Sequence, residues 1–163
     1  MEVIRKASMS DIDAVMRIYG AAKKFMCENG NKTQWPGNYP DRDLVSDDIA
    51  NGNLYVICRE DSSVCACFGL FFGDDPTYSH IEGSWKNDAP YAAIHRVASD
   101  GSIKGVFRKC FDFVSARHPH IRIDTHEDNK IMQRAILNCG FVYCGIIYVE
   151  NGTPRRAYEW TWQ

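Results

Sequence analysis

Residues 94–113 read IHRVASDGSIKGVFRKCFDF. An apolar strand ends at Ala98, a short turn with Gly101 follows, and a helical stripe opens with Ile103, Val106, Phe107 and Cys110. A helix that starts after a glycine-bearing turn presents free backbone N–H groups, and its dipole adds positive potential there. Lys104, Arg108 and Lys109 add formal charge, and Gly105 lets a ligand approach the backbone. This is a candidate anion site for a phosphate or pyrophosphate. The same residues also fit a plain strand-to-helix turn with a solvated basic face, so the segment alone leaves both readings open.

Working outward, the periodicity predicts strands over 3–7, 54–59, 64–72, 91–98, 121–124, 141–149 and 155–162. It predicts helices from Ser10 to Gly30, from Asp41 to Ala50, from Ile103 towards Pro119, and from Asn129 to the stop at Gly140. Ser10 and Asp13 are placed as a box at the first helix start. Residues 64–72, VCACFGLFF, are almost wholly apolar, as a strand buried on both faces requires. The order β-α-α-β-β-β-α-β-α-β-β predicts one α/β (α+β) domain over residues 1–163. Its sheet is single, mixed and mostly antiparallel, with about seven strands and helices on both faces. The β-α-β stretch after residue 91 requires a right-handed parallel crossover. Two long polar stretches, residues 29–40 and 74–90, have the length of functional loops.

The chain has 163 residues, 45% hydrophobic and 25% charged, with 21 acids against 19 bases. This balance argues against a nucleic-acid binder. No apolar run reaches the length of a membrane span, and the first residues carry no apolar signal region, so a cytoplasmic location off the membrane is expected. Seven cysteines cannot all pair, which fits reduced thiols. Cys65 and Cys67 share a strand face without further ligands at zinc spacing, so no metal site is expected.

Residues 124–141, DTHEDNKIMQRAILNCGF, add a helix that opens at Asn129 and ends in Gly140-Phe141. Together with Ser102-Ile103-Lys104-Gly105-Val106-Phe107, this segment resembles the GNAT superfamily of acyl-CoA-dependent N-acetyltransferases. That family pairs [QR]-x-x-G-x-[GA] with a later N-x-x-A-x-x-L-Y-x-x-x-G-F. The phrases NKTQWPGNYPDRD, PYAAIHRVAS and CGIIYV resemble one bacterial branch of it. Ser102 and Phe107 depart from the first motif, the turn is shorter than usual, and Ile136 stands where the family often has a tyrosine acid.

The resemblance implies the acyl-CoA N-acyltransferase fold and acetyl-CoA as donor to a primary amine of a small molecule or peptide. It implies that Val97, Ala98 and Ser99 bind the pantetheine through their backbone. Ser102, Lys104, Gly105, Val106 and Phe107 would cradle the pyrophosphate, and Asn129 would contact the pantetheine arm. Gln34, Trp35 and Tyr39 would line the acceptor side, although Trp35 equally fits a loop anchor. The amine must lose a proton to attack, since an alkylammonium has a pKa of about 10. His126, Glu82 and His95 are the candidate bases, with His126 preferred because the turn after a parallel strand faces the cleft. Tyr148 is a candidate acid. A thiol with a pKa of about 8.5 can also leave as thiolate. A non-catalytic acyl-CoA-binding module and a thiol-dependent enzyme are the alternatives. The aromatic face Tyr158, Trp160 and Trp162 would suit a homodimer.

Overall fold

The computed structural model describes residues 1–163. Eight strands form one sheet in the order β1-β2-β3-β5-β6-β8-β7-β4. The chain divides into two compact units, Met1–Leu70 with Arg96–Val106, and Phe71–His95 with Phe107–Gln163.

The first unit holds β1 (Val3–Lys6), α1 (Ile12–Glu28), α2 (Arg42–Ala50), β2 (Leu54–Cys58) and most of β3 (Val64–Phe72). The three strands are antiparallel neighbours. Ile12, Val15 and Tyr19 recur at helical spacing on α1 and pack with Val45 and Ile49 of α2 against Leu54, Val56 and Cys67. Each such side chain contributes roughly 1.5–3 kcal/mol by leaving water. The capping box lies two residues earlier than the sequence predicts, at Ser8 and Asp11, while α1 itself starts two residues later, at Ile12. A 3-10 turn at Met9–Asp11 precedes α1, and the Ser8 N–H donates to Asp11 Oδ2 at 2.8 Å. Asp11 is also gripped by both terminal nitrogens of Arg5, at 2.8 and 3.0 Å. Asp13, expected in that box, instead pairs with Arg42 at 2.8 Å.

The second unit holds β4 (Glu82–Gly83), the start of β5 (Ala92–Ser99), α3 (Val106–Ser115), β6 (His120–Thr125), α4 (Lys130–Asn138), β7 (Val142–Tyr148) and β8 (Pro154–Thr161). The sheet is mixed, with β5 and β6 parallel and the others in this unit antiparallel. The parallel register runs through Ala92↔Ile121 and Ala93↔Arg122, so Ile94 and His95 lie beyond it.

Alternation along β6 separates two environments. Ile121 and Ile123 stand opposite Trp160 and Tyr158, and Trp160 meets Phe111 of α3 edge-on at 5.0 Å. His120, Arg122 and Asp124 project from the other face, beside Ala157 and Glu159 of β8. That face is polar yet buried, so its groups need partners. Glu159, 2% exposed, accepts the Lys86 N–H at 2.6 Å and binds His120 Nε2, with Arg122 Nε at 3.7 Å. His120 Nδ1 reaches the Ala89 carbonyl at 3.0 Å, and Arg122 donates to the Asn87 carbonyl at 2.7 Å. The Arg122 guanidinium lies between the Trp85 and Tyr91 rings, 4.1 and 4.2 Å from their centres. These bonds tie residues 85–91 to the sheet.

Strand β4 has no sequence signature because it is only two residues long. It forms where Gly83 and Gly145 meet main chain to main chain. A Cβ on Gly145 would stand 2.1 Å from the Glu82 carbonyl oxygen, and one on Gly83 would stand 2.2 Å from that of Cys144. The neighbouring bulge at Cys144 shifts the β7–β8 register.

Candidate active site

In the second unit the polar face of β6 continues to Asp124, and there the structure gathers a hydrogen-bonded cluster. Asp75 caps a 3-10 turn at Pro76–Tyr78, accepting the Thr77 N–H at 2.9 Å and its hydroxyl at 2.7 Å, both through Oδ1. Its other oxygen, Oδ2, lies 2.8 Å from His95 Nε2. The Asp75 N–H donates to the Tyr91 phenol oxygen at 2.7 Å. The Tyr78 hydroxyl donates to Asp124 Oδ2 at 2.6 Å, and that oxygen lies 3.9 Å from His95 Nδ1. The rings of Phe71 and Tyr78 flank the imidazole at 5.5 and 5.8 Å.

The electrostatics follow from these contacts. Burial alone would raise the Asp75 pKa. The His95 and Thr77 hydrogen bonds outweigh it and lower the value to about 2. Burial, reinforced by Asp124, pushes the Tyr78 phenol well above its ordinary range, so it stays a donor. Arg5 donors likewise hold Asp11 at about 2. Folded-state values below the ordinary 3.8 stabilise the fold above pH ~4, and that contribution is lost as pH falls towards 2. The expected result is a urea midpoint that declines between pH 4 and 2. Asp75→Asn would lose about 1 kcal/mol of that decline, discounted for solvent contact.

The other sequence candidates fall elsewhere. Glu82 and Tyr148 meet across the β4–β7 pair, the phenol donating at 2.9 Å, which raises the pKa of Tyr148. His126 is nearly buried at the start of α4, where Nδ1 accepts the Asp128 N–H at 3.0 Å. Asn129 caps α4 by accepting the Met132 N–H at 3.1 Å. Thus Glu82 joins Tyr148, His126 joins the α4 cap, and His95 joins Asp75, Tyr78 and Asp124. The sequence reading passed over these last three. Asp124 carried a usable signal, since it stands at the end of the strand predicted over 121–124, two residues before the preferred His126.

In the first unit, Arg96 adopts φ +51°, a left-handed conformation rare for a residue with a side chain. Its guanidinium is bound by Asp48 and donates to the Tyr39 hydroxyl at 3.2 Å. Trp35 is buried edge-on against Tyr19 at 5.6 Å and lies beside Tyr39, while Gln34 accepts from Asn31 at 2.8 Å. Val97, Ala98 and Ser99 close β5. The following loop is built on Asp100, which accepts the Ser102 N–H at 2.8 Å and pairs with Arg59 at 2.7 Å. Arg59 also binds the Ser102 hydroxyl. Helix α3 begins at Val106, so Ile103 and Lys104 remain in the loop. Gly101 and Gly105 have φ of +84° and +68°, and open space stands where each Cβ would be. Such a bare, exposed backbone with Lys104 beside it fits a phosphate group. Arg108, further on, is paired with Asp112 at 2.9 Å.

Two buried thiols, Cys67 and Cys144, are unsuited to nucleophilic chemistry. Burial pushes Cys67 up to about 12 and Cys144 to about 11, the opposite of what a reactive thiolate needs. No group of three or more His, Cys, Asp or Glu is arranged to hold a metal ion, and no helix is long and apolar enough to cross a membrane.

A scan against protein-family models and a search of curated proteins find no match to this chain. Solved structures do match. A GNAT-family acetyltransferase from Streptococcus agalactiae is 28% identical, with 99% of this chain and 96% of that one covered and a TM-score of 0.86. A Staphylococcus aureus protein assigned as an acetyltransferase is 26% identical, with 98% of both chains covered and a TM-score of 0.70. A GNAT-family acetyltransferase from Listeria monocytogenes, at 17% identity, shares the fold with a TM-score of 0.72 over 99% of this chain and 95% of that one. The chain forms a mixed, mostly antiparallel eight-stranded sheet with four helices, and over its whole length this fold is similar to that of GNAT-family acetyltransferases of bacteria.

Proposed function

We propose that the protein transfers an acetyl group from acetyl-CoA to a primary amine of a small molecule or peptide, by direct attack in a ternary complex. The observation that carries this reading is the imidazole of His95, held between Asp75 and Asp124 on a partly exposed face. A base of this type takes the proton that the attacking amine must lose. Asp124 faces the ring nitrogen that gains the proton and offsets its charge.

Acetyl-CoA supplies an activated acyl group on a thiol that leaves readily. Toward it, the exposed loop at Ser102, Lys104 and Gly105, leading into α3 at Val106 and Phe107, holds the phosphates. The backbone of Val97, Ala98 and Ser99 aligns the pantetheine, and Asn129 supports it. The left-handed Arg96 directly precedes Val97, whose backbone N–H is the candidate donor to the developing oxyanion. Strain at such a residue costs about 1–3 kcal/mol, offset here by the Asp48 and Tyr39 bonds. Gln34 and Tyr39 line the acceptor side, with Trp35 anchoring their loop. Glu82 and Tyr148 form a second acid–base pair apart from this chemistry.

The test is thiol release from acetyl-CoA with a panel of polyamines, amino acids and peptides. Amine-dependent release supports the reading. Tight CoA binding without turnover across the panel would replace it with an acyl-CoA-sensing module. For the phosphate loop, Gly105→Glu is expected to weaken acetyl-CoA binding about 10- to 100-fold in calorimetry, through like-charge conflict worth ~1.4 kcal/mol per factor of ten. Gly105→Ala shares the backbone strain without the charge and serves as the control. Equal affinity in both variants would move the phosphates elsewhere.

A further inference from the structure

We infer that Asp75 is a positioning residue that fixes the tautomer of His95, with the proton on Nε2 and Nδ1 left as the proton-accepting atom. This rests on the acetyltransfer reading for its purpose, but not for its geometry.

The hydrogen-bond inventory leaves one arrangement for the neutral ring. An ionised carboxylate only accepts. Oδ1 of Asp75 is filled by the N–H and hydroxyl of Thr77, so Oδ2 remains for His95 Nε2, which must donate across the 2.8 Å contact. The other nitrogen, Nδ1, stands 3.9 Å from Asp124 Oδ2, too far for a hydrogen bond. That oxygen is already taken by the Tyr78 hydroxyl at 2.6 Å. Nδ1 therefore keeps its lone pair.

The neighbouring groups hold each part in place. Asp75 and Tyr78 come from the 3-10 turn, Asp124 from β6 and the Phe71 ring from β3. Tyr91 accepts the Asp75 N–H, and Trp85 donates its indole N–H to the Tyr78 carbonyl at 2.9 Å. Asp75 orients, His95 accepts the proton from the amine at Nδ1, and Asp124 stabilises the resulting cation. Tyr78 keeps Asp124 from closing on the ring.

The experiment joins nitrogen-15 NMR of His95 to kinetics. The wild type is expected to show a protonated Nε2 and an unprotonated Nδ1 in the neutral ring. An amide can donate to Nε2, so Asp75→Asn is expected to populate the opposite tautomer. Its kcat should fall about 10²- to 10⁴-fold, with KM for acetyl-CoA unchanged. Asp75→Glu should restore part of kcat. Thr77→Val, which removes one bond to Oδ1 without touching the ring, should give an intermediate loss and keeps the test open should Asp75→Asn fold poorly. A wild-type ring protonated on Nδ1, or an Asp75→Asn protein with unchanged tautomer and kcat, would overturn the assignment. A wild type with the expected tautomer that acetylates no amine would instead overturn the transferase reading and leave the tautomer standing.

Discussion

Replacing Glu159 by alanine is expected to destabilise the protein by about 3–5 kcal/mol, the cost of breaking a buried ionic network by removing one partner. The carboxylate binds the Lys86 N–H and His120, and lies near Arg122 Nε and the Cys144 thiol. Without it, a guanidinium and an imidazole stay buried with no anionic partner. In a chain of this length each kcal/mol moves the Tm by roughly 2–4 °C, so a fall of roughly 6–20 °C is expected in calorimetry. Glu159→Gln keeps an acceptor for the Lys86 N–H and should lose less. The alanine variant should also loosen residues 85–91, seen as faster amide exchange at Lys86. A loss below about 1 kcal/mol would mean that water replaces the carboxylate and that the buried face is wet.

Replacing His95 by glutamine is expected to lower kcat about 10²- to 10⁴-fold with little change in KM for acetyl-CoA. Glutamine can still donate to Asp75, so the fold should survive, but it cannot take a proton from the amine. What remains is the rate that comes from holding two substrates side by side. His126→Gln provides the contrast. That residue accepts the Asp128 N–H at the start of α4, so its loss should lower stability more than rate. If His126→Gln abolished turnover while His95→Gln kept it within threefold, the base would be His126.

The elements that periodicity marks strongly are those the structure contains. Ile12, Val15 and Tyr19 on α1 and the unbroken apolar run of β3 were legible because burial there is repeated along each element. Strand β4 was not, since two residues have no period and its pairing depends on the backbone approach of Gly83 to the distant Gly145. The start of α3 was also misplaced. Ile103 continues the apolar stripe, yet the loop is set by Asp100 and Arg59, and a local pattern does not show that pairing.

For the candidate site, residue type and strand position named His95 among the candidate bases but gave no reason to rank it above His126. The ranking comes from tertiary partners. Asp75 lies in a loop 20 residues upstream, and Tyr78 reaches Asp124 across 46 residues. The polar alternation on β6, with His120, Arg122 and Asp124 facing one way, was the overlooked signal. An inward row of three polar side chains has to be matched by partners from another segment, and residues 75–91 supply them.

The facing glycines of β4 and β7 have a consequence for descent. At Gly83 and Gly145 the obstruction to any side chain is the opposing main chain, which no mutation of a neighbour can trim. Neither position can drift while the other compensates, so the two behave as one inherited character. Chains descended from a common ancestor with this pairing either keep both glycines or abandon the strand.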